Sequence, residues 1–336
     1  MKEFELINFL KNHASGTTYP SIGDDCAVID TATSFSGQGY LLINTDTMIE
    51  GHHFLRKQIS AQDLGWKVMA QAASDIAAMG GTPKAATIGL TMPKGEALED
   101  SYLKELYEGI ADFNNHHKTS LIGGDTCFGN DFAMNITFLG HCSNTPVARS
   151  TAQGNDQIWV SGCIGLAGKG LALAQGEPDQ KLSDSDKNLI EKAFNRPTPM
   201  VELGENLTTI ASSMIDISDG LLADLSHICE ASKKSAVLDL AKIPVHSSDL
   251  GSEKNLLKAC SAGEDYQLLF TASPSKQASI NELSKQLTIP LTPVGEISPS
   301  SDRPQVSIRS NGKLQPMAKL LESHSLPARG GWEHSG

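Results

Sequence analysis

Short apolar runs of strand length alternate with segments of helical period along almost the whole chain, and this alternation restricts the fold to the α/β and α+β classes. Extended runs are predicted at 26–30, 40–45, 85–91, 132–140, 157–161, 236–240, 266–271 and 305–309, the last entering the hairpin turn Ser310-Asn311-Gly312-Lys313. Helices are predicted at 3–12, 61–79, 98–115, 186–194, 199–211, 220–231 and 275–286. The stretch 141–157, HCSNTPVARSTAQGNDQ, is polar and turn-rich, and a new strand and helix follow it. Two domains are therefore expected, 1–145 and 146–336, a division that suits a chain of 336 residues. No tandem repeat and no low-complexity tract interrupts the pattern.

Charge narrows what such a chain handles. A formal net charge of −12 argues against nucleic acid, whose phosphates need a basic surface. An acidic protein that handles anions needs cations between itself and them. No apolar stretch approaches the ~20 residues needed to cross a bilayer. The six cysteines form no CxxC pair, and MKEFELINFL lacks a basic region leading into an apolar run, so reduced thiols in a cytoplasm are expected.

Carboxylates are the informative residues, because they stand where the pattern calls for apolar or turn residues. In IGDDCAVID a glycine turn presents Asp24 and Asp25 just before a strand. In LLINTDTMIEGHHF the strand ends at Thr45-Asp46-Thr47, and strand ends are where sites are built. Singly, each is equally well read as a solvated turn. Asp75 resists that reading: with Leu64, Val68, Ala72 and Met79 as the apolar stripe, it falls within roughly 20° of both Leu64 and Val68 on the helical wheel. A carboxylate on a buried face needs a base or a metal, or it takes up a proton.

The second half repeats the theme. In SSMIDISDGLLADLSHI, Ile215 and Ile217 face one side of a short strand and Asp216 and Ser218 the other; Asp219 then precedes a helix, where an ordinary N-cap is the alternative reading. SAGEDYQLLF puts Glu264 and Asp265 at the mouth of another strand. TSLIGGDTCFGN, 119–130, begins like a buried strand and then uses two glycines to present Asp125. If these acids converge, each like-charged pair at about 4 Å costs roughly 4 kcal/mol at an effective dielectric near 20, so the cluster requires metal. Mg²⁺, which takes a few carboxylates with water and phosphate oxygens, fits, and clustered Mg²⁺ points to phosphoryl transfer.

Familiar nucleotide motifs are missing. SGCIGLAGKGLAL (161–173) has no glycine five residues before Gly168, and Gly170 stands where a Walker A loop needs Ser or Thr. It reads as a glycine-rich turn leading into a helix, with weak phosphate contact by its amides left open. Any ATP would be held mainly through metals.

Together GDDCA, NTDT, EGHHF, SDIAAMGG, LIGGDT, ARS, DISDGL, SAGED and the terminal GGWEH stand in the order and approximate spacing of thiamine-monophosphate kinase. The chain resembles that family, of the aminoimidazole ribonucleotide synthetase and selenophosphate synthetase superfamily, from about residue 4 to 334. The resemblance implies ATP-dependent phosphorylation of thiamine monophosphate to thiamine diphosphate by direct in-line transfer. It implies Mg²⁺ ligands at Asp25, Thr45, Asp46, Asp75, Asp125, Asp216 and Asp219, with Asp75 bridging several ions and Asp75, Asp125 and Asp219 central to catalysis. Tyr107, Gly124, Asp125, Arg149 and Ser218 would meet ATP, while His53, Glu264 and Trp332 would meet thiamine monophosphate. An indole face attracts both a cationic thiazolium and a flat aminopyrimidine. The fold implied is two α/β domains, the first pairing with a second copy into a β-barrel, ATP lying near the seam. Asn44 stands where the family commonly has Ser or Thr, and SAGED lacks one glycine of the usual pair. The alternatives are another ATP-using synthetase of the superfamily, a metal-dependent phosphatase, or a nucleotide-binding regulator.

Overall fold

In the computed structural model, the described residues are 25–31, 38–94, 98–177, 182–299 and 304–331. The helix expected at 3–12, Asp24 and Trp332 lie outside them. The architecture is mixed α/β, built on two sheets. The first contains β1 (Ala27–Asp30), β2 (Tyr40–Ile49), β3 (Thr82–Pro93), β4 (Ser120–Gly129) and β5 (Ala133–Cys142) in the order β1-β2-β5-β3-β4. All neighbours are antiparallel except β3 and β4. Helices α1 (Ala61–Ala78) and α2 (Asp100–His117) pack on one of its faces, and the strands alternate to match. Leu42, Asn44 and Met48 of β2 and Met134, Ile136 and Phe138 of β5 are buried beneath the helices, while Thr45, Thr137 and their neighbours point to the other face.

Among the described residues this sheet is open, with β1 and β4 as its edges. TSLIGGDTCFGN does form a strand, but nearly all of β4 is exposed, and Ile122 and Phe128 are each 62% exposed. The expectation of a buried strand is corrected: apolar content marks a surface that this chain alone does not cover. Gly124 serves this pairing, since a Cβ there would collide with the Ile88 carbonyl oxygen of β3, whereas Gly123 faces open space.

The second sheet runs β12-β11-β8-β10-β6-β9-β7. Its strands are β6 (Gln157–Ser161), β7 (Ser213–Asp216), β8 (Ser235–Asp239), β9 (Leu268–Ala272), β10 (Leu291–Ser298), β11 (Val306–Ser310) and β12 (Lys313–Pro316). Trp159 and Phe270 stack at its centre with ring centroids 6.3 Å apart. Helices α3 (Leu166–Ala174), α4 (Asp184–Asn195), α5 (Val201–Leu207), α6 (Leu221–Ser232), α7 (Glu253–Ser261), α8 (Gln277–Leu287) and α9 (Met317–Ser323) surround it. The helix expected at 199–211 stops at Leu207, and β10, α7 and α9 were not predicted.

Helix α1 joins the halves. Ser60 caps it by accepting from Asp63 N, and its surface is used on several sides: it packs under the first sheet and also against β7, α4 and α5. Leu64, Val68, Ala72 and Ile76 are at most 1% exposed. A helix held this tightly fixes the direction in which its few polar side chains point.

Candidate active site in the cleft beside the first helix

A cleft of about 650 Å³ opens between the two halves, lined by Asp46, Asp75, Asp216, Ser218, Asp219, His53 and Glu264 among others. Each acid arrives by a different route. Asp46 is on the helix-covered face of β2; Asp75 projects from α1 and is partly exposed because it opens into the cleft; Asp216 ends β7; Asp25 precedes β1. Single carboxylate oxygens of Asp25, Asp75 and Asp216 all lie within 4.8 Å of one another. Three acids from separate sequence positions thus meet at one point.

The surrounding hydrogen bonds hold the acids, and the Arg149 ion pair neutralises one of them, Asp25. Asn44 Nδ2 donates to Asp75 Oδ2 at 2.8 Å and to the Ala72 carbonyl at 2.9 Å. Ser74 Oγ donates to Asp216 Oδ2 at 2.6 Å, and Arg149 Nη2 donates to Asp25 Oδ1 at 2.6 Å. Burial, followed by the charges of Asp46, Asp216 and Asp25, pushes the Asp75 carboxyl well above its usual range. Burial pushes Asp216 up to about 6, opposed by the Ser74 hydrogen bond and reinforced by Asp46. Crowding of this kind disfavours ionisation until a cation arrives.

Hard divalent cations suit the donor set. The converging groups are all oxygen donors, and Asn44 Oδ1 is a further buried oxygen that accepts no hydrogen bond among the described residues. An Asn in place of Ser or Thr thus keeps an oxygen beside Asp75.

Asp219 is not the N-cap of α6. The cap residue is Gly220, at φ 118, with no side-chain hydrogen bond to the helix start; instead Asp224 reaches back to accept from Asp219 N at 3.2 Å and Gly220 N at 3.1 Å. Asp219 itself lines the cleft. Burial and the charges of Asp219 and Asp216 raise the Asp224 carboxyl well above its usual range. Asp224, with His227, forms a second close group around Asp219. Sequence reasoning missed Asp224 because an Asp inside LLADL reads as the solvated position of an amphipathic helix.

Other expected residues divide between the cleft and elsewhere. His53 lines the cleft and accepts from Ile49 N through Nδ1 at 3.1 Å. Thr45 alternates to the opposite face of β2 from Asp46, and its hydroxyl lies 2.8 Å from that of Thr137. Asp125 is not brought to the cluster. The strand registers set Asp46 level with Ile136, Ile88 and Gly124, and set Asp125 level with Gly89, Asn135 and Thr47. Three inter-strand steps, roughly 14 Å, separate those backbone positions. Asp125 also belongs with the uncovered face. Tyr107 is 37% exposed on α2 and does not line the cleft.

Amides at the start of the glycine-rich segment are already engaged from within the chain. Asp265 accepts from Gly165 N at 2.6 Å and Ala167 N at 3.1 Å, occupying the start of α3 with its own carboxylate. Lys169 is committed to Asp249 at 2.7 Å.

The description of AIR synthase related proteins matches this chain, its N-terminal domain over residues 23–142 and its C-terminal domain over 153–306. The chain is 37% identical over 282 residues to a thiamine-monophosphate kinase of Haemophilus influenzae, covering 83% of each chain. It is 35% identical over 281 residues to the enzyme of that name from Escherichia coli, covering 82% of this chain and 83% of that one. A solved structure of AaThiL complexed with AMPPCP and TMP superposes with a TM-score of 0.78 at 27% identity, covering 93% of this chain and 94% of the other.

Proposed function

Because the chain belongs to the thiamine-monophosphate kinase family, and so is an enzyme of the kinase class, we propose that it transfers the γ-phosphoryl group of ATP to the phosphate of thiamine monophosphate, in the cleft beside α1. The observation that carries this reading is the meeting of Asp25, Asp75 and Asp216 at a cleft that Asp46, Asp219, His53 and Glu264 also line. A phosphate oxygen of thiamine monophosphate attacks the γ-phosphorus in line, the bond to the β-γ bridging oxygen breaks, and ADP leaves. The acceptor is already an anion, so neither a protein nucleophile nor a general base is required.

Bound at these acids, Mg²⁺ would supply the charge neutralisation that lets two phosphate anions approach. Asp25, Asp46, Asp75, Asp216 and Asp219 would hold it, with Asp75 shared between ions and Thr45 contributing from the adjoining backbone. Ser218 would hydrogen-bond to ATP, and Arg149, paired with Asp25 in this structure, would meet its phosphates. His53 and Glu264 would meet thiamine monophosphate, and the family resemblance implies the same of Trp332.

The uncovered edge is assigned to a second copy. A strand with free pairing groups and with Ile122 and Phe128 at its surface is a template for association, and pairing there would close the open first sheet toward a barrel. Gly124, Asp125 and Tyr107 would then meet ATP at the seam. We place the boundary between the two domains at 145/146 and the enzyme in the cytoplasm.

Purified protein supplied with ATP, Mg²⁺ and thiamine monophosphate, followed by chromatography, tests the reading. Thiamine diphosphate and ADP should appear in equal amounts. Release of inorganic phosphate without ATP would favour a phosphatase instead.

A further inference from the structure

Lys67 of α1 is 1% exposed, and lysine is almost never buried unless paired. Its Nζ lies 3.1 Å from Glu264 Oε2 and 3.7 Å from the centre of the Phe194 ring. Burial pulls its pKa down, and the charge and hydrogen bond of Glu264 oppose that pull. The pair spans the two halves of the molecule, from the central helix to the loop 262–266.

That loop is held in a demanding conformation. Glu264 and Tyr266 both have left-handed backbone, at φ 66 and φ 48, a region that non-glycine residues seldom occupy. Glu264 N donates to the Ser218 carbonyl at 2.8 Å and Tyr266 N to that of Ile217 at 2.9 Å, so the loop is pinned to the segment that carries Ser218 and Asp219. Within it, Asp265 turns to the start of α3 and Glu264 lines the cleft. Strained backbone that the surroundings over-determine is typical of residues whose placement matters to function.

We propose that Lys67 is a positioning residue for substrate recognition: its buried ammonium fixes Glu264 in the cleft wall as the carboxylate that meets the cationic thiazolium ring of thiamine monophosphate. The inference rests on the reading of the cleft as the thiamine monophosphate site.

Two opposed effects decide the sign. Lys67 cancels part of the negative charge a thiazolium would feel, but a carboxylate that is not held at the cleft wall offers the cation no contact at all. Glu264, whose side chain is 29% exposed, has Lys67 as its only cationic partner among the described residues. Without that partner, repulsion by the neighbouring acids turns the carboxylate toward water. Placement therefore outweighs cancellation.

A cycle of Lys67→Met, Glu264→Gln and the double variant tests this, each checked for cooperative melting, with Lys67→Gln in reserve if the methionine variant does not fold. Steady-state kinetics give KM for both substrates, and calorimetry gives the affinity for thiamine, which carries the cation without a phosphate and needs no ATP. Lys67→Met should raise KM for thiamine monophosphate and weaken thiamine binding by roughly 5- to 20-fold, the loss of one charge-assisted contact. KM for ATP and kcat should stay within about twofold, and in the Glu264→Gln background the lysine substitution should add almost nothing, as for two groups acting as a unit. Wild-type behaviour of Lys67→Met, an undiminished effect in the Glu264→Gln background, or equal weakening toward both substrates would each overturn the proposal. If the wild-type protein makes no thiamine diphosphate yet binds thiamine, the functional reading fails while the calorimetric cycle still decides the role of Lys67. A wild-type protein that does neither overturns both.

Discussion

Asp46 and Asp125 belong to one sheet and sit almost level across it, yet their surroundings are opposite. Asp46 lies under α1 with Asp75 and Asp216 around it, all supplied by one chain. Asp125 lies on the exposed edge strand, on the line of Gly89, Asn135 and Thr47. The sequence presents both in the same way, as an acid beside threonines on a strand. The difference teaches that acids which look alike in the sequence can be divided by folding, one set gathered in a cleft and another left on an exposed edge strand.

The sharpest way to break this comparison is at the cleft. Asp75→Asn keeps the side-chain volume and removes the charge that the cluster needs to hold cations. Turnover should fall about 10³-fold or more, given that one buried charge interaction is worth on the order of 4 kcal/mol. The metal-free protein should melt no lower than wild type, because repulsion among the acids has been relieved, and its stabilisation by Mg²⁺ should shrink. Near-normal activity would remove Asp75 from the site.

Titration tests the same crowding without mutation. Asp216 is raised from 3.8 to about 6 in the folded state, and Asp75 is raised as well. A carboxyl whose folded pKa is raised stabilises the fold at low pH and loses that contribution as pH rises through the folded value. Metal-free protein should therefore lose stability from about pH 4 to 7, on the order of 3 kcal/mol for Asp216 alone at 1.36 kcal/mol per unit. Urea unfolding with and without Mg²⁺ measures it, and the metal should abolish most of the loss. A metal-free stability that rises over this range would contradict the account.

At the edge the expectation is different. Phe128→Asp places a charge on β4, well away from the acids of the cleft. Wild-type protein should sediment as a dimer and the variant as a monomer, with activity reduced roughly 10- to 100-fold, the cost of one central interface residue. Stabilisation by Mg²⁺ should persist in the variant, since the cleft is built within one chain. An active, unchanged variant would mean that β4 is ordinary surface.

Legibility followed the same division. Asp75 could be found because an acid on an apolar helical stripe violates a strong periodicity, and Asp216 because it alternates with buried isoleucines. Lys67 could not, since lysine on a helix is solvated by default and only Phe194 and Glu264, far away in sequence, make its burial tolerable. Strand β10 was hidden by Pro293 and Gly295, which punctuate a sequence as turn residues; here a break in register between them lets the strand continue. The exposure of β4 was hidden for another reason: an apolar strand at the edge of a sheet and one buried in its middle carry the same kinds of residues.

The central claim is that the cleft acids hold divalent cations. Crystals grown with Mn²⁺, a non-hydrolysable ATP analogue and thiamine monophosphate, with anomalous data collected, test it most directly. The account predicts anomalous peaks about 2.0–2.3 Å from carboxylate oxygens of Asp25, Asp46, Asp75 and Asp216, a hard divalent ion's bonding distance. Manganese absent from these carboxylates, or found only between Asp219, Asp224 and His227, would contradict it.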